Sequence, residues 1–329
     1  MRVRATVTVV PMLLLAGCAG VQTSLGGQGD DGRRFINLFV IFLAVTALAY
    51  MLVLTFLAIA IWRRRGETGR IGSSTMQTLL VGWIAFTGVG LAALAIASFF
   101  TDRSMARAAA KSALSVEITA NQWWWDVRYQ SGDPSHTLRT SNELHLPVGV
   151  PVHVTLKSND VIHSFWVPNL TGKQDLIPGR TTDITLLPHK LGLFRAQCAE
   201  FCGVQHTHMA LDVTVESRGD FLKWWQAGLQ PGRPPSSPMA LAGYQYVTTR
   251  ECSTCHNISG TPASGSVGPD LTHLASRRSL AAGTMPMSRA SLYAWIADPQ
   301  SQKPGTKMPN IGLEPAELHA VVAYLQELK

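Results

Sequence analysis

Charged residues are scarce in this chain of 329 residues, where Lys, Arg, Asp and Glu make up 15% of the total, against ~25% in ordinary soluble domains. Hydrophobic residues make up 46%, and the mean hydropathy is +0.12. Disordered chains are poor in hydrophobic residues, and collagen repeats glycine at every third position, so the composition excludes both classes. The length predicts about two globular domains, and the shortage of charge indicates a membrane component as well.

Acidic residues are fewer than basic ones, but the imbalance is confined to one part of the chain. Residues 1–114 hold 11 Lys/Arg and only 4 Asp/Glu, a net charge of +7. The net charge is −3 over residues 115–216, +2 over 217–240 and +1 over 241–329. The positive charge therefore reports on membrane topology, and we expect no nucleic-acid partner.

The N-terminus has the pattern of a secretion signal, with Arg2 and Arg4 ahead of an apolar stretch that ends in Leu15-Ala16-Gly17-Cys18. The last four residues resemble the lipobox of bacterial lipoproteins, in which the chain is cut before the cysteine and the thiol is acylated. This resemblance predicts a signal peptide over residues 1–17 and a lipid on Cys18. An uncleaved signal anchor with a free Cys18 is the alternative.

Two long runs lack charge altogether, Phe35–Trp62 with 28 residues and Met76–Thr101 with 26. A helix of 28 residues spans about 42 Å, enough to cross a ~30 Å hydrocarbon core. We therefore predict transmembrane helices over residues 35–62 and 76–101. A fully buried core helix is the alternative for either run.

The loop between these runs fixes the predicted topology. It contains four arginines, Arg63-Arg64-Arg65 and Arg70, and a single acidic residue, Glu67. The positive-inside rule therefore places residues 63–75 in the cytoplasm of a bacterial cell. Residues 18–34 and everything beyond residue 102 then lie outside, on the periplasmic or extracellular side. The lipobox independently requires an outer N-terminus.

Residues 115–216 alternate with a period of two and are interrupted by Gly, Pro, Asn and Asp, which predicts a β-sandwich. The predicted strands are Val116–Thr119, Trp123–Tyr129, Val152–Leu156, Thr182–Leu186, Leu193–Gln197 and Leu211–Val215.

Residues 217–240 begin with a predicted short helix around Phe221–Trp225 and end in a Pro/Ser-rich stretch typical of a semi-rigid linker. Residues 241–329 show no strand pattern and predict a small all-α domain. Its predicted helices are Leu241–Cys252, Leu292–Ala297 and Pro315–Leu328.

Cys252-Ser253-Thr254-Cys255-His256 is the C-x-x-C-H pattern of covalent c-type haem attachment. Its two thiols would bind the haem vinyl groups and His256 would be the proximal iron ligand. A zinc half-site and a thioredoxin-like pair are the alternatives, but neither needs the adjacent histidine.

A six-coordinate haem needs a second axial ligand, and methionine raises its potential. Met308 lies in a Lys-Met-Pro sequence that resembles the methionine loop of small class I cytochromes c. Met285 and Met287 are the competing candidates. Gly268-Pro269 resembles the segment of that family beside the proximal histidine, where the Pro269 carbonyl would accept from His256 Nδ1–H.

The remaining two cysteines, Cys198 and Cys202, lie in a loop with Glu200, His206 and Met209. The five residues have the spacing C-x-E-x-C-x-x-x-H-x-x-M. Thiolate and thioether ligands select copper or other soft ions. Two bridging thiolates suit a pair of copper ions, and a second imidazole must come from elsewhere. A Cys198–Cys202 disulfide and a Cys₂His₂ zinc site are the alternatives.

The loop closely resembles the signature of subunit II of haem–copper cytochrome c oxidases, with His163 as the upstream histidine. The resemblance extends over roughly residues 30–220, including the aromatic run Gln122-Trp123-Trp124-Trp125. It implies a cupredoxin-type sandwich with a dinuclear CuA centre. The ligands implied are His163, Cys198, Glu200 through its backbone carbonyl, Cys202, His206 and Met209.

The same resemblance gives roles to further residues. It implies that the Glu200 carboxylate also reaches a magnesium ion shared with subunit I, and that Trp123 or Trp124 is the aromatic residue through which electrons reach the copper pair. His208 has no matching role. The family commonly carries a glutamate near the start of the second helix, at the mouth of a proton channel of subunit I, and Ser73–Gln77 departs from the family by lacking it.

The C-x-x-C-H domain marks the caa-type oxidases, whose subunit II carries a fused cytochrome c. The resemblance implies an electron relay from haem c through CuA to subunit I, which reduces oxygen and pumps protons. Subunit III, a donor cytochrome or a quinol–cytochrome c reductase, and membrane lipid are the other expected partners. We expect the linker to let the haem domain reach an outside donor and then dock on the copper domain.

Two other functions use some of the same features. A CuA subunit of a nitric oxide reductase-type enzyme would transfer electrons towards a different substrate. A membrane-anchored copper-delivery protein would need an exposed, labile site and would not need a haem.

Overall fold

The computed structural model describes residues 20–63, 72–108, 114–131, 133 and 136–329. Cys18 with the predicted signal peptide, and most of the arginine-rich loop that is predicted to be cytoplasmic, lie outside the described residues. The hairpin of residues 33–110 forms one unit, and the remaining described residues form a second.

The hairpin contains two long helices, α1 (Asp30–Arg63) and α2 (Ser73–Ala108). Both are longer than the predicted 35–62 and 76–101. Helix α1 extends beyond the apolar run at both ends because charged residues there complement the helix dipole. Asp30 and Asp31 lie in its first turn and Arg63 lies in its last. None of the residues in the most apolar stretch of α1 is buried, and in the most apolar stretch of α2 6% of the residues are buried. By length and composition, both helices can cross a membrane.

The second unit begins with a segment along the edge of a β-sandwich, where Gly29 pairs with Pro188. The sandwich has two five-stranded sheets, ordered β3-β2-β1-β5-β8 and β4-β10-β9-β6-β7. The strands are β1 (Leu114–Asn121), β2 (Trp124–Gln130), β3 (Leu138–Ser141), β4 (Glu143–Pro147), β5 (Val152–Ser158), β6 (His163–Trp166), β7 (Gln174–Leu176), β8 (Thr182–Leu186), β9 (Gly192–Cys198) and β10 (Ala210–Glu216).

Alternating burial along β1 and β5 explains why these segments form a sandwich, since one face of each strand lies in the apolar core. The predicted sandwich is confirmed, but four of its strands (β3, β4, β6 and β7) were not predicted. They are three to five residues long, too short to show a period of two clearly.

Helix α3 (Arg218–Gly228) closes one end of the sandwich. The rings of Trp224 and Trp225 lie 5.2 and 5.4 Å from the ring of Tyr129 in the core. His145 stacks on Trp224 at 4.0 Å, and its Nδ1 lies 2.8 Å from Glu216 Oε1. The first part of the predicted linker 217–240 is thus packed on the sandwich.

His145 should make the stability of this domain depend on pH. Burial alone would lower its pKa, but hydrogen bonds with Glu143 and Glu216 raise the pKa to about 9 from 6.5. Protonated His145 therefore contributes on the order of 3 kcal/mol to the free energy of unfolding. This contribution is fully present below pH 6.5 and is lost as the pH rises through about 9. Chemical unfolding at several pH values should show this loss, and His145→Gln should remove it. Equal pH slopes for the two proteins would contradict this role.

The C-terminal region is mainly helical, as predicted. Its helices are α4 (Pro238–Thr249), α5 (Glu251–Cys255), α6 (Arg289–Ala297), α7 (Pro299–Gln302) and α8 (Pro315–Leu325), with a two-stranded hairpin of β11 (Ser279–Leu280) and β12 (Met285–Pro286). Gly243 allows α4 and α8 to cross closely, because a Cβ there would lie 2.0 Å from the Ala320 carbonyl oxygen. This region has its own apolar core.

The Pro/Ser-rich stretch does not separate the two globular domains. Gly232 N donates to Ser259 O at 2.8 Å, and Ser236 Oγ donates to Glu327 Oε1 at 2.7 Å. The two domains also contact each other directly, since Ala210 N donates to Ala282 O at 2.9 Å. The structure shows the haem domain docked on the copper domain, and the Pro/Ser-rich stretch packs along the helical domain.

Candidate functional site

The loop between β9 and β10 gathers the soft ligands. These strands are antiparallel neighbours, and Cys198 N donates to Met209 O at 2.9 Å, so the two ends of the loop meet. Strand β6 lies on the other side of β9, with Phe165 opposite Cys198. His163, two residues from Phe165 and on the same face, therefore reaches the loop from the neighbouring strand.

The predicted copper ligands lie together. Cys198 Sγ is 3.7 Å from Cys202 Sγ and 3.7 Å from His163 Nδ1. Cys202 Sγ is 3.7 Å from His206 Nδ1 and 3.9 Å from Met209 Sδ. The Glu200 carbonyl oxygen lies 3.2 Å from Cys198 Sγ. The structure therefore brings together every residue that the sequence predicted for this site.

The donor set fits two soft ions better than one. Both cysteines are free and buried, and each thiol has its own imidazole, with Met209 beside Cys202. The hydrogen bond from the Cys202 thiol, together with His163, lowers the pKa of Cys198 despite its burial, and this favours the thiolate that binds soft metals. A tetrahedral zinc site would leave the thioether and the carbonyl unused.

Asp160 orients one of the imidazoles. His163 Nε2 lies 2.8 Å from Asp160 Oδ1, which leaves Nδ1 to face the thiols. Burial opposes the charge of Asp160, but hydrogen bonds from His163 and from the backbone of Gln122 keep its pKa well below the ordinary value. Lys307 Nζ also lies 3.1 Å from Oδ2. Sequence analysis assigned no role to Asp160, although its place three residues before His163 was a usable signal.

A second site is an apolar pocket in the helical domain, lined by Cys252, Cys255, His256 and Met308. His256 Nδ1 lies 2.7 Å from Pro269 O, as predicted. Burial lowers the pKa of His256, which keeps the imidazole neutral and able to bind a metal through Nε2.

Features of this pocket fit a haem. A Cβ at Gly268 would lie 2.7 Å from His256 Cε1, so only glycine leaves the imidazole in place. Arg277 also lines the pocket, and its buried Nε has no hydrogen-bond partner among the described residues, although Glu143 Oε1 is 3.8 Å away. A buried guanidinium with a spare donor is suited to a carboxylate such as a haem propionate.

Met308 is held in position by Gln300, which sequence analysis missed. Gln300 Nε2 donates to the carbonyls of Thr306 at 2.8 Å and Met308 at 2.9 Å, and its Oε1 accepts from Gly305 N at 3.0 Å. Met285 and Met287 instead pack against the apolar core of the domain and are not part of the pocket lining.

Residues 131–217 match the periplasmic domain of cytochrome c oxidase subunit II, and residues 240–329 match cytochrome c. Cytochrome c oxidase subunit 2 of Alkalihalophilus pseudofirmus is 29% identical over 96% of this chain and 94% of its own length. The protein of the same name in Bacillus subtilis is 27% identical over 96% and 95%.

The chain belongs to the cytochrome c oxidase subunit II family. It is a subunit II with a fused cytochrome c domain. Among solved structures, the periplasmic domain of subunit II of cytochrome oxidase from Bradyrhizobium japonicum covers 36% of this chain and 94% of its own, with 28% identity and a TM-score of 0.34.

The aromatic run of this subunit II is split by a turn. Asn121 pairs with Trp124, so Gln122 and Trp123 form the tip of the β1–β2 hairpin. Trp125 is buried in the sandwich core. The predicted strand Trp123–Tyr129 therefore starts one residue too early, because the strand begins only at Trp124.

Trp123 contacts both sites. Its Nε1 donates to Cys202 O at 3.0 Å, and its ring lines the haem pocket. Trp124 lines the same pocket but makes no hydrogen bond with the thiol loop among the described residues. Of the two candidates, Trp123 therefore has the position that suits electron transfer to the copper pair.

Other predicted features of the subunit lie apart from these sites. The carboxylate of Glu200 lies 3.4 Å from Lys173 Nζ, at the surface. His208 hydrogen-bonds to Gln205 at 2.8 Å instead of facing the thiols. The first turn of α2 holds no acidic residue. The helix therefore lacks, in the structure as in the sequence, the glutamate that the family commonly carries there.

Proposed function

We propose that this subunit II relays electrons from a c-type haem in its C-terminal domain to a dinuclear copper centre in its sandwich, and from there to subunit I. The observation that carries the proposal is the position of Trp123, which bonds to the thiol loop on one side and lines the haem pocket on the other. When bound, the haem and the copper pair supply the one-electron chemistry. The protein fixes their positions and potentials.

The proposed copper ligands divide into two sets. Cys198 and Cys202 would bridge the ions with their thiolates. His163 and Glu200, through its carbonyl, lie nearest Cys198, whereas His206 and Met209 lie nearest Cys202. A copper pair held by both thiolates would accept and release one electron with little rearrangement of these residues.

The haem domain has a ligand for each face of the iron. Cys252 and Cys255 would form the covalent bonds, and neutral His256 would be the proximal ligand, oriented by the Pro269 carbonyl. Met308 would complete the coordination. Its thioether favours the reduced iron and raises the potential.

Subunit I of a haem–copper oxidase is the partner that this assignment requires, and we propose subunit III and a donor cytochrome or quinol–cytochrome c reductase as further partners. The two apolar helices and the periplasmic-type domain mark a membrane protein with extracytoplasmic domains. We propose that it lies in a bacterial cell membrane with both cofactor domains outside, that Glu200 also binds magnesium at subunit I, and that Cys18 is acylated. Intact mass of the mature chain tests acylation.

Metal content and spectroscopy test the proposed function. The purified full-length chain should contain two copper ions for each iron of a covalently bound haem. Its paramagnetic spectrum should show one electron shared equally by two copper nuclei. Zinc in place of copper, or a single copper with one localised electron, would contradict the proposal.

A further inference from the structure

The helical domain contacts the copper domain through several segments, and one of them, residues 303–308, is here named the haem loop. Gln205 Nε2 of the copper domain donates to Pro304 O at 2.7 Å. Gly305 lies so close that a Cβ there would be 3.1 Å from Val204 Cγ2 and 3.8 Å from the Trp123 ring. Trp123 is only 8% exposed, so the haem loop covers much of the surface of the residue that contacts the thiol loop.

A buried lysine lies at the centre of this contact. Lys303 is 2% exposed, and its Nζ donates to Trp123 O at 2.9 Å, to His208 O at 2.7 Å and to Ala281 O at 2.8 Å. The first two carbonyls belong to the copper domain and the third to the haem domain. All three N–H donors of the ammonium group are therefore used.

Lys303 has no carboxylate within ion-pair distance among the described residues. Burial lowers its pKa to about 7, which reflects the cost of removing an ammonium group from water. The three carbonyls and the nearby Cys202 thiol compensate for part of this cost, and the two copper-domain carbonyls are lost if the domains separate. The side chain thus contributes to the structure of the docked state and little to either domain alone.

We propose that Lys303 is a positioning residue that holds the haem domain on the Trp123 face of the copper domain, so that this chain's own haem domain occupies the surface through which the copper pair accepts electrons. The electron-transfer part of this proposal rests on the proposed function; the docking part does not. A soluble donor would then reduce the haem and would not reach Trp123.

Hydrogen exchange of the full-length chain in detergent tests the docking directly. Two backbone amides bond across the contact: Ala210 N–H donates to Ala282 O, and Asp270 N–H donates to Ser141 Oγ. Lys303→Met leaves three buried carbonyl oxygens without their donor. Because one unsatisfied buried acceptor costs about a tenfold factor, we expect both amides to exchange at least about tenfold faster. Amides of β1 and α8 should keep their wild-type rates, which separates undocking from unfolding.

Electron transfer is measured on the same proteins after pulsed reduction of the haem. We expect at least about a tenfold slower transfer from haem to copper in Lys303→Met, in proportion to the loss of the docked state. The haem and copper spectra should not change. Lys223→Met, which removes the same charge from an exposed helix position, is the matched control and should behave as wild type.

If Lys303→Met does not bind both cofactors, Lys303→Gln replaces it, because the amide keeps two N–H donors without the charge. Faster exchange at Ala210 and Asp270 together with slower transfer supports the proposal. Wild-type values for either measurement overturn it. A wild-type chain that holds no copper would instead refute the proposed function, and the exchange experiment would still decide the docking role.

Discussion

Replacing Cys198 by serine is expected to abolish the shared-electron spectrum of the copper pair and to leave the haem site intact. Serine offers an alcohol oxygen in place of a soft thiolate and cannot bridge two copper ions. Cys198 is also the ligand nearest to His163 and the Glu200 carbonyl. Changes to residues that merely support metal ligands cost up to ~100-fold in activity, so we expect turnover of the assembled oxidase to fall by more than that.

The redox state of the haem distinguishes this relay from other paths. In the Cys198→Ser oxidase the donor should still reduce the haem, and the haem should stay reduced under oxygen. The control is His208→Gln, which changes a histidine of the same loop whose side chain faces Gln205, and which should keep the copper spectrum. Rapid reoxidation of the haem in Cys198→Ser would show that copper is not on the path.

The copper ligands were predictable because most of them share one loop. Residues 198–209 lie between two paired strands, so their spacing in sequence translates directly into proximity in space. The haem motif is similarly local. His163 came from the family resemblance, since its approach depends on the pairing of β6 with β9, which the short strand β6 did not reveal.

The residues that join the two sites could not be predicted. Lys303 lies 180 residues from Trp123 and Lys307 lies 147 residues from Asp160. No periodicity relates positions so far apart, because they meet only when two domains with separate cores dock. The Pro/Ser-rich composition of residues 231–238 indicated a spacer, but its backbone bonds to the helical domain instead.

Met308→Ala is expected to remove the weak sulfur-to-iron absorption band of the oxidised haem and to lower its potential. Alanine has no donor atom, and the loss of a thioether removes the ligand that favours reduced iron. We expect a fall on the order of 0.2 V, within the ~0.8 V range that axial ligands set. Since ~59 mV is a tenfold change for a one-electron couple, reduction of the haem by its donor becomes about a thousandfold less favourable.

The controls for this prediction are the competing methionines. Met285→Ala and Met287→Ala remove side chains that pack against the apolar core of the haem domain, so they should lower its stability while keeping the band and the potential. Gln300→Ala should give an intermediate result, because Met308 stays but its loop loses the three hydrogen bonds that fix residues 305–308. Potentiometric titration of each variant, followed by absorption, separates these cases. If Met285→Ala or Met287→Ala abolishes the band while Met308→Ala retains it, the assignment of the sixth ligand to the haem loop is wrong.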